Sequence, residues 1–591
     1  MSSPSATHNP KSQHLWQRYD IELEASESYA NPYTEVDVWV DLEGPGFKRR
    51  VYGFWDGERR FTVRIAATAP GVWRWTSGSN RKDAGLNGKR GELTAADWTD
   101  QEKRANPLRR GFLRASANGR SFVHPDGTPF FLLGDTWWAT PTFRYPWFEE
   151  ADRKIGPDMG FKEMVAYRKA QGYNAIAILA GFPNWAMDGA PAQIRMEDER
   201  HTAIRSAWKE PGTDTAKDMH NEGGRPFEFP GKVPGYEKIV PDYDRINPAY
   251  FQYMDRKIDY LNDEGFVAFI EVSRRDASES WRNYGGWPDS YERYIHYVFT
   301  RYQANNTLLS PIHFDSSAFS IPSREYNEPA NLELKKYGPP PFGTLVGTNA
   351  APSTLINFGG PEEAPWLTFH QLGNWREHEH YWYLTEIHGS SPALPAVNGE
   401  PYYPGFPNDD PPADTIDAEL NCRSGMYGGL LSGAFAGYIY GVEGVWGGDI
   451  SPKARYRMWE AIQFRSGALV KYLKAFLVAA GERAGELDPD QELVVPNKSG
   501  PSLGYRGWAF CARTAEKELL LLYFEKGCLR PLLRGLVPLR RYNGKWFDPR
   551  NGKWIGGGEI EALDTDQTGR VSLPPLPDDQ DWGLALRLAD K

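Results

Sequence analysis

Cysteine is almost absent: Cys422, Cys511 and Cys528 stand far apart, with no CxxC pair and no zinc-ligand spacing. A disulfide framework is not expected, and neither a metal nor a cofactor is called for. No run of 18 or more apolar residues occurs, so no transmembrane helix is expected. The opening "MSSPSATHNPKSQHLW" lacks a basic segment followed by an apolar one and does not read as a secretory signal. Residues 1–12 read as a disordered tail. A cytoplasmic location is the expectation, with export behind a leader absent from this sequence as the alternative. Positive charge is short as well: 68 basic against 78 acidic residues give a net charge of −10. That leaves no electrostatic footprint for nucleic acid or an anionic membrane. No repeat of solenoid period appears.

Aromatic residues are what the chain has in excess, 14% of the total with 22 Trp and 31 Tyr. Flat rings stack on the apolar faces of sugars, so this composition points toward a carbohydrate partner; large β-rich cores use aromatics too. At 591 residues, 40% apolar and 25% charged, the chain reads as globular and divides into two to four domains.

Residues 13–100 carry short alternating segments such as "EVDVWVDLEG", "KRRVYGFWDG" and "RFTVRIAATAPG", the pattern of a β-sandwich. A polar linker is expected at 101–110. From 111 to 480 eight strand candidates follow in order, several separated by amphipathic helices: "PFFLLGDTWW", "NAIAILAGF", "FVAFIEVSRR", "TLLSPIHFD", "GTLVGTNAA", "WLTFHQLGN", "PAVNGEPYY" and "AGYIYGVEGVW". This order predicts a (β/α)8 TIM barrel. Residues 481–591 return to strand texture and predict a small antiparallel β domain. The expected fold is therefore multidomain α/β, a central barrel flanked by two β domains.

In such a barrel the residues at the C-terminal ends of strands face the active site. Those ends supply Asp135, Asn174, Glu271, Arg274, Asp315, His370, Glu400 and Tyr440, with Trp137, Trp138 and Trp446 beside them. Carboxylates, tryptophans and histidines without a lysine or cysteine cluster suit glycoside hydrolysis. That chemistry needs one carboxyl group to protonate the leaving oxygen and another to attack the anomeric carbon or activate water. Strands four and seven face each other across a barrel mouth, which makes Asp315 and Glu400 the pair: Glu400 as nucleophile, Asp315 as general acid/base. Asp135 reads equally as a turn cap or a sugar contact, and Glu271 as a buried structural acid or a hydroxyl acceptor. The cluster "REHEHYW" puts His378 and His380 two apart, which favours a solvated face over a metal site.

The stretches "HPDGTPFFLLGDTWW" (His124–Trp138), "VNGEPYYPG" and "CRSGMYGGLLSGAFAGYIYGVEGVW" (Cys422–Trp446) resemble the motifs of apiosidase-like glycoside hydrolases. The segment "VYGFWDGERRFTVRIAATAPGVWRW" resembles the β-sandwich often fused to them, and "KWFDPRNGKW" their C-terminal collagen-binding-like β domain. The resemblance implies a catalytic Glu in the "NGEP" motif, here Glu400, and a partner Asp ending strand four, here Asp315. The chain departs from the family at that strand, with His313 and Phe314 where a glycine pair is usual. "YNEP" (Tyr326–Pro329) also resembles the Asn-Glu-Pro of other barrel hydrolases and makes Glu328 a rival to Asp315. Tyr402 or Tyr403 is expected to hold the Glu400 carboxylate, and His313 to tune Asp315 or to sit in the core.

These readings together predict a retaining, exo-acting glycosidase that removes a terminal sugar. A non-catalytic carbohydrate-binding scaffold or, with Arg274 and Arg275 as its only support, a polysaccharide lyase are the alternatives. The sequence leaves a homo-oligomer open, and the insertion at 188–243 is expected to form part of the mouth.

Overall fold

The structure, a computed structural model, describes residues 11–150, 152–181, 193–194, 204–205, 220–238, 240–317, 320–373, 378, 380–406 and 411–590. Of the expected tail, residues 11 and 12 already belong to a strand, Lys11–His14, which pairs in parallel with Arg90–Ala96. Two sheets follow, one of five strands and one of three, packed over a single apolar core. Alternation builds them: in Val38–Gly44 the side chains of Val38, Val40 and Leu42 are buried while Asp41 and Glu43 face water. The linker expected at 101–110 is helical rather than extended. Thr99 and Glu102 form a capping box at the start of Asp100–Ala105, satisfying two helix-end N–H groups reciprocally.

The central unit is organised by seven parallel strands: β1 (Leu132–Thr136), β2 (Ala175–Leu179), β3 (Val267–Glu271), β4 (Thr307–Ser310), β5 (His370–Leu372), β6 (Ala396–Asn398) and β7 (Gly437–Tyr440). Their order in the sheet is β4-β3-β2-β1-β7-β6-β5. The fifth candidate, "GTLVGTNAA", forms no regular strand. Val346 makes an isolated parallel bridge to Leu309, and its carbonyl accepts from Thr368 N at 2.7 Å just ahead of β5. Every residue of β1 to β7 is buried, as expected of parallel strands covered on both faces. Leu132, Ala177, Phe269, Leu308, Phe369 and Val397 converge in one cluster, which Leu113 and Phe122 also join. The alternate residues pack outward against α1 (Phe161–Ala170), α2 (Pro248–Asp263), α3 (Asp289–Tyr302) and neighbouring helices. Asp255 on α2 ties this unit to the N-terminal sheets, accepting from Arg301 and from Arg64 at 2.6 Å each.

Beyond residue 487 a six-stranded and a three-stranded antiparallel sheet enclose a separate core. Phe510, Tyr523 and Phe547 from these sheets also pack into the core of the central unit, and two buried polar contacts reinforce that junction. Arg423 on α5 (Ile416–Leu431; α4 is Asn327–Tyr337) forks onto Asp581 at 2.7 and 2.9 Å. His378 overturns the solvated-face expectation: it is fully buried, bonded to both carboxylate oxygens of Glu525 at 2.8 and 2.7 Å and stacked on Trp508 at 4.1 Å. The side chain of His380 and most of the 188–243 insertion lie outside the described residues.

Candidate active site

The site forms where β3, β4 and β6 run out. Past the formal end of β4, His313 bridges Arg274 and Phe314 bridges Ala350, so the strand ends stay in register long enough to aim their side chains. On β6 the backbone turns through Gly399 to present Glu400. A Cβ at Gly399 would lie 1.9 Å from Gln371 Oε1, so a larger residue there would push the Gln371 amide aside.

Three carboxylates, two guanidinium groups and one imidazole meet there. Glu271 Oε2 accepts from His313 Nδ1 at 2.7 Å. Arg274 Nη2 donates to Asp315 Oδ2 at 2.6 Å, and Arg275 Nη1 lies 2.8 Å from Asp315 Oδ1. Asn349 links the two sides: its backbone N donates to Glu271 Oε1 at 3.3 Å and its Nδ2 to Glu400 Oε2 at 2.7 Å. One ligating atom from each of His313, Asp315 and Glu400 lies within 4.8 Å of the others. Above them Trp138 sets its ring against His313 at 4.6 Å, and Trp446 packs on Trp138 at 5.3 Å. Tyr403 completes the wall, its hydroxyl 2.8 Å from Thr136 Oγ1.

Burial alone would raise the Asp315 carboxyl, but Arg274, Arg275 and His313 hold it well below the usual carboxylate range. Burial opposes charge on His313 too, yet Glu271 and Asp315 raise it to about 10. The separations among His313, Asp315 and Glu400 would admit a cation, but the charges do not. Both Asp315 oxygens are taken by guanidinium groups and His313 is itself held cationic.

The apiosidase-like catalytic domain family matches residues 116–481, more than half of the chain. This chain belongs to that family. Residues 12–80 match a second family, a domain of unknown function. A candidate glycoside hydrolase from Bacteroides vulgatus shares the fold over 98% of this chain and 100% of its own, with a TM-score of 0.65 at 15% identity. A family 5 glycoside hydrolase from the same organism covers 82% of this chain and 94% of its own, with a TM-score of 0.55 at 16% identity. A further structure described as a glycoside hydrolase covers 82% and 98%, with a TM-score of 0.55 at 17% identity. No curated protein sequence matches. Fold and family are thus of glycoside-hydrolase type and support a glycosidase with a carbohydrate substrate. Among the described residues no helix is long and apolar enough to cross a membrane.

Of the residues expected at the mouth, the structure brings together Glu271, Arg274, His313, Asp315, Glu400, Trp138 and Trp446. Seven others lie elsewhere; for Asp135 and Tyr440 the reason is that alternate strand residues point to opposite faces. Asp135 and Tyr440 face outward: Asp135 accepts from Arg168 of α1 at 2.6 Å, and the Tyr440 hydroxyl meets Ser466 Oγ at 2.8 Å. Trp137 donates to Asp135 at 2.7 Å and stacks on Tyr145. Asn174 precedes β2 and bonds the backbone of Leu133 and Phe131. His370 opens β5 instead of ending it and pairs with Thr354 Oγ1 at 2.8 Å. Tyr402 turns away toward Tyr505, with ring centroids 5.4 Å apart, and it is Tyr403 that joins the aromatic wall. Glu328 is exposed in the first turn of α4, where its charge suits the helix N-terminus. Asn349 was the residue without a sequence signal: it lies in the fifth candidate, whose backbone is too irregular for an end to be read.

Proposed function

We propose that this protein is a retaining, exo-acting glycoside hydrolase, with Glu400 as nucleophile and Asp315 as general acid/base. The observation that carries the reading is the meeting of these two carboxylates, within 4.8 Å, at the ends of β6 and β4. Retaining enzymes hold their carboxyl groups about 5–5.5 Å apart, and inverting ones about 6.5–9.5 Å. Both groups are nearly fully buried, and the aromatic cluster of Trp138, Tyr403 and Trp446 meets them through Trp138 on His313, which suits a chain end entering a pocket better than a polymer crossing an open cleft. The seven parallel strands, together with Val346 between β4 and β5, support closure as a (β/α)8 barrel. We divide the chain accordingly into a β-sandwich (11–100), a connecting segment (101–110), the catalytic barrel (111–480) and a C-terminal β domain (481–591).

In this reading Glu400 attacks the anomeric carbon, oriented by Asn349, while Asp315 manages the proton of the leaving oxygen. Trp138 and Trp446 offer flat faces to the apolar side of the sugar. The test is a panel of aryl glycosides with product configuration followed by NMR, on the wild type, Glu400→Gln and Asp315→Asn. Retention in the wild type and loss of turnover in both variants are expected. Variants as fast as wild type, or a wild type that binds glycans and cleaves none, would remove the assignment.

A further inference from the structure

This inference rests on the glycosidase reading and concerns where its proton is kept. A general acid must hold a proton before it can give one. Asp315 is poorly placed to do so unaided, because Arg274 and Arg275 each reach one of its oxygens, at 2.6 and 2.8 Å. His313 is the neighbouring group built to carry the proton. Its Nδ1 sits 2.7 Å from Glu271 Oε2, and an ionised carboxylate only accepts, so Nδ1 bears a hydrogen and the ring orientation is fixed. The opposite nitrogen, Nε2, points toward Asp315 Oδ2 at 3.7 Å and makes no hydrogen bond among the described residues. The ring is wholly buried, with the Trp138 indole 4.6 Å away. Glu271 is itself fixed, accepting from the backbone N of Asn349.

We propose that His313, oriented by Glu271, is the reservoir of the proton that Asp315 delivers to the leaving group. The proton moves from His313 Nε2 to Asp315 Oδ2, 3.7 Å away, in concert with the delivery that follows, so that a carboxyl held ionised by two arginines never has to store it. It passes on from the Asp315 carboxyl to the glycosidic oxygen as the bond to the anomeric carbon breaks, the electron pair staying on that oxygen. Glu400 forms the new bond to the anomeric carbon. In the second half, water adds to that carbon, Glu400 departs with its bonding pair, and the water proton returns through Asp315 to Nε2. One water is consumed and every protein group is restored. The charged groups facing His313 are Glu271 at the end of β3, Arg274 and Arg275 just after it, Asp315 on its own segment, and Glu400 beyond β6. Their balance keeps the imidazole protonated to about 10. The sequence left His313 between tuning Asp315 and sitting in the core; its anchoring on Glu271 came only with the fold.

His313→Gln keeps a hydrogen-bond donor but cannot pass a proton. Wild type and variant are compared on two glycosides of the sugar the wild type cleaves best: a methyl glycoside, whose leaving group must be protonated, and a 2,4-dinitrophenyl glycoside, whose leaving group need not be. The expected result is a loss of about 10²–10⁴-fold on the methyl glycoside and less than about tenfold on the dinitrophenyl glycoside. Glu271→Gln, which preserves shape, shows the same selectivity and draws the alkaline limb of the kcat profile down toward the ordinary histidine range. Asp315→Asn on top of His313→Gln adds little to the methyl glycoside loss, because the two act as one unit. Equal losses on both substrates in both single variants, with circular dichroism unchanged, would overturn the inference alone. A wild type inactive on every sugar of the panel would overturn the glycosidase reading and this inference with it.

Discussion

Replacing Asp135 with alanine separates a structural carboxylate from a sugar contact. Asp135 and Arg168 are both fully buried. The Asp135 Oδ2 atom accepts from Arg168 Nε at 2.6 Å and from Trp137 Nε1 at 2.7 Å, and Oδ1 accepts from Thr136 N at 3.0 Å. The variant leaves a guanidinium charge with only neutral acceptors, Gln171 Oε1 and the Ile462 carbonyl. Breaking one side of a buried ion pair costs about 3–5 kcal/mol. For a unit of about 370 residues, at about 2.1 cal/mol/K of unfolding entropy per residue, that lowers the thermal midpoint by about 4–6 °C. Scanning calorimetry reads the midpoint. Changing both partners, Asp135→Leu with Arg168→Met, removes the orphaned charge and restores most of the loss. The reasoning is refuted if Asp135→Ala keeps its midpoint within about 1 °C and instead raises KM.

Asn349→Ala removes the amide that holds Glu400 at 2.7 Å. A hydrogen bond to a charged group is worth about 1.5–3 kcal/mol, so kcat/KM for an aryl glycoside falls about ten- to hundredfold while the thermal midpoint changes little. His370 tests stability against pH. Burial lowers its pKa to about 4 from an unfolded value of about 6.5. Between those values the unfolded chain binds more protons, so the stability is complete above about pH 6.5 and is lost as pH falls toward 4. The contribution is on the order of 3 kcal/mol, and thermal midpoints of His370→Gln measured from pH 7 to pH 4 decline less than those of the wild type. Arg423→Met strands the fully buried Asp581 with the Tyr523 hydroxyl as its remaining short donor. It destabilises the seating of the C-terminal sheets by about 3–5 kcal/mol, read as earlier proteolytic release of that region.

The sequence by itself determined the class of molecule and the order of its parts. Apolar runs of four to eight residues, separated by helical periodicity, marked the parallel strands; β1 through β7 each fall inside a predicted segment. "NGEP" singled out Glu400, and an apolar run ending in Asp singled out Asp315; the structure brings the two carboxylates within 4.8 Å. What failed was facing. A buried parallel strand is apolar on both sides, so its sequence has no alternation to say which residues point to the mouth. Asp135, read equally as a turn cap or a sugar contact, and Tyr440, read as a mouth residue, point outward, and Tyr402, expected with Tyr403 to hold Glu400, turns toward the C-terminal sheets.

Tertiary structure decided the rest. Asn349 reaches Glu400 across 51 positions of sequence, and His313 reaches Glu271 across 42. Such pairings depend on how neighbouring strand ends are staggered, which no local pattern encodes. The charge state of the site has the same origin. Asp315 is an ordinary aspartate in the sequence, and it becomes a strongly ionised one only because the fold sets two arginines and a histidine around it where water cannot screen them.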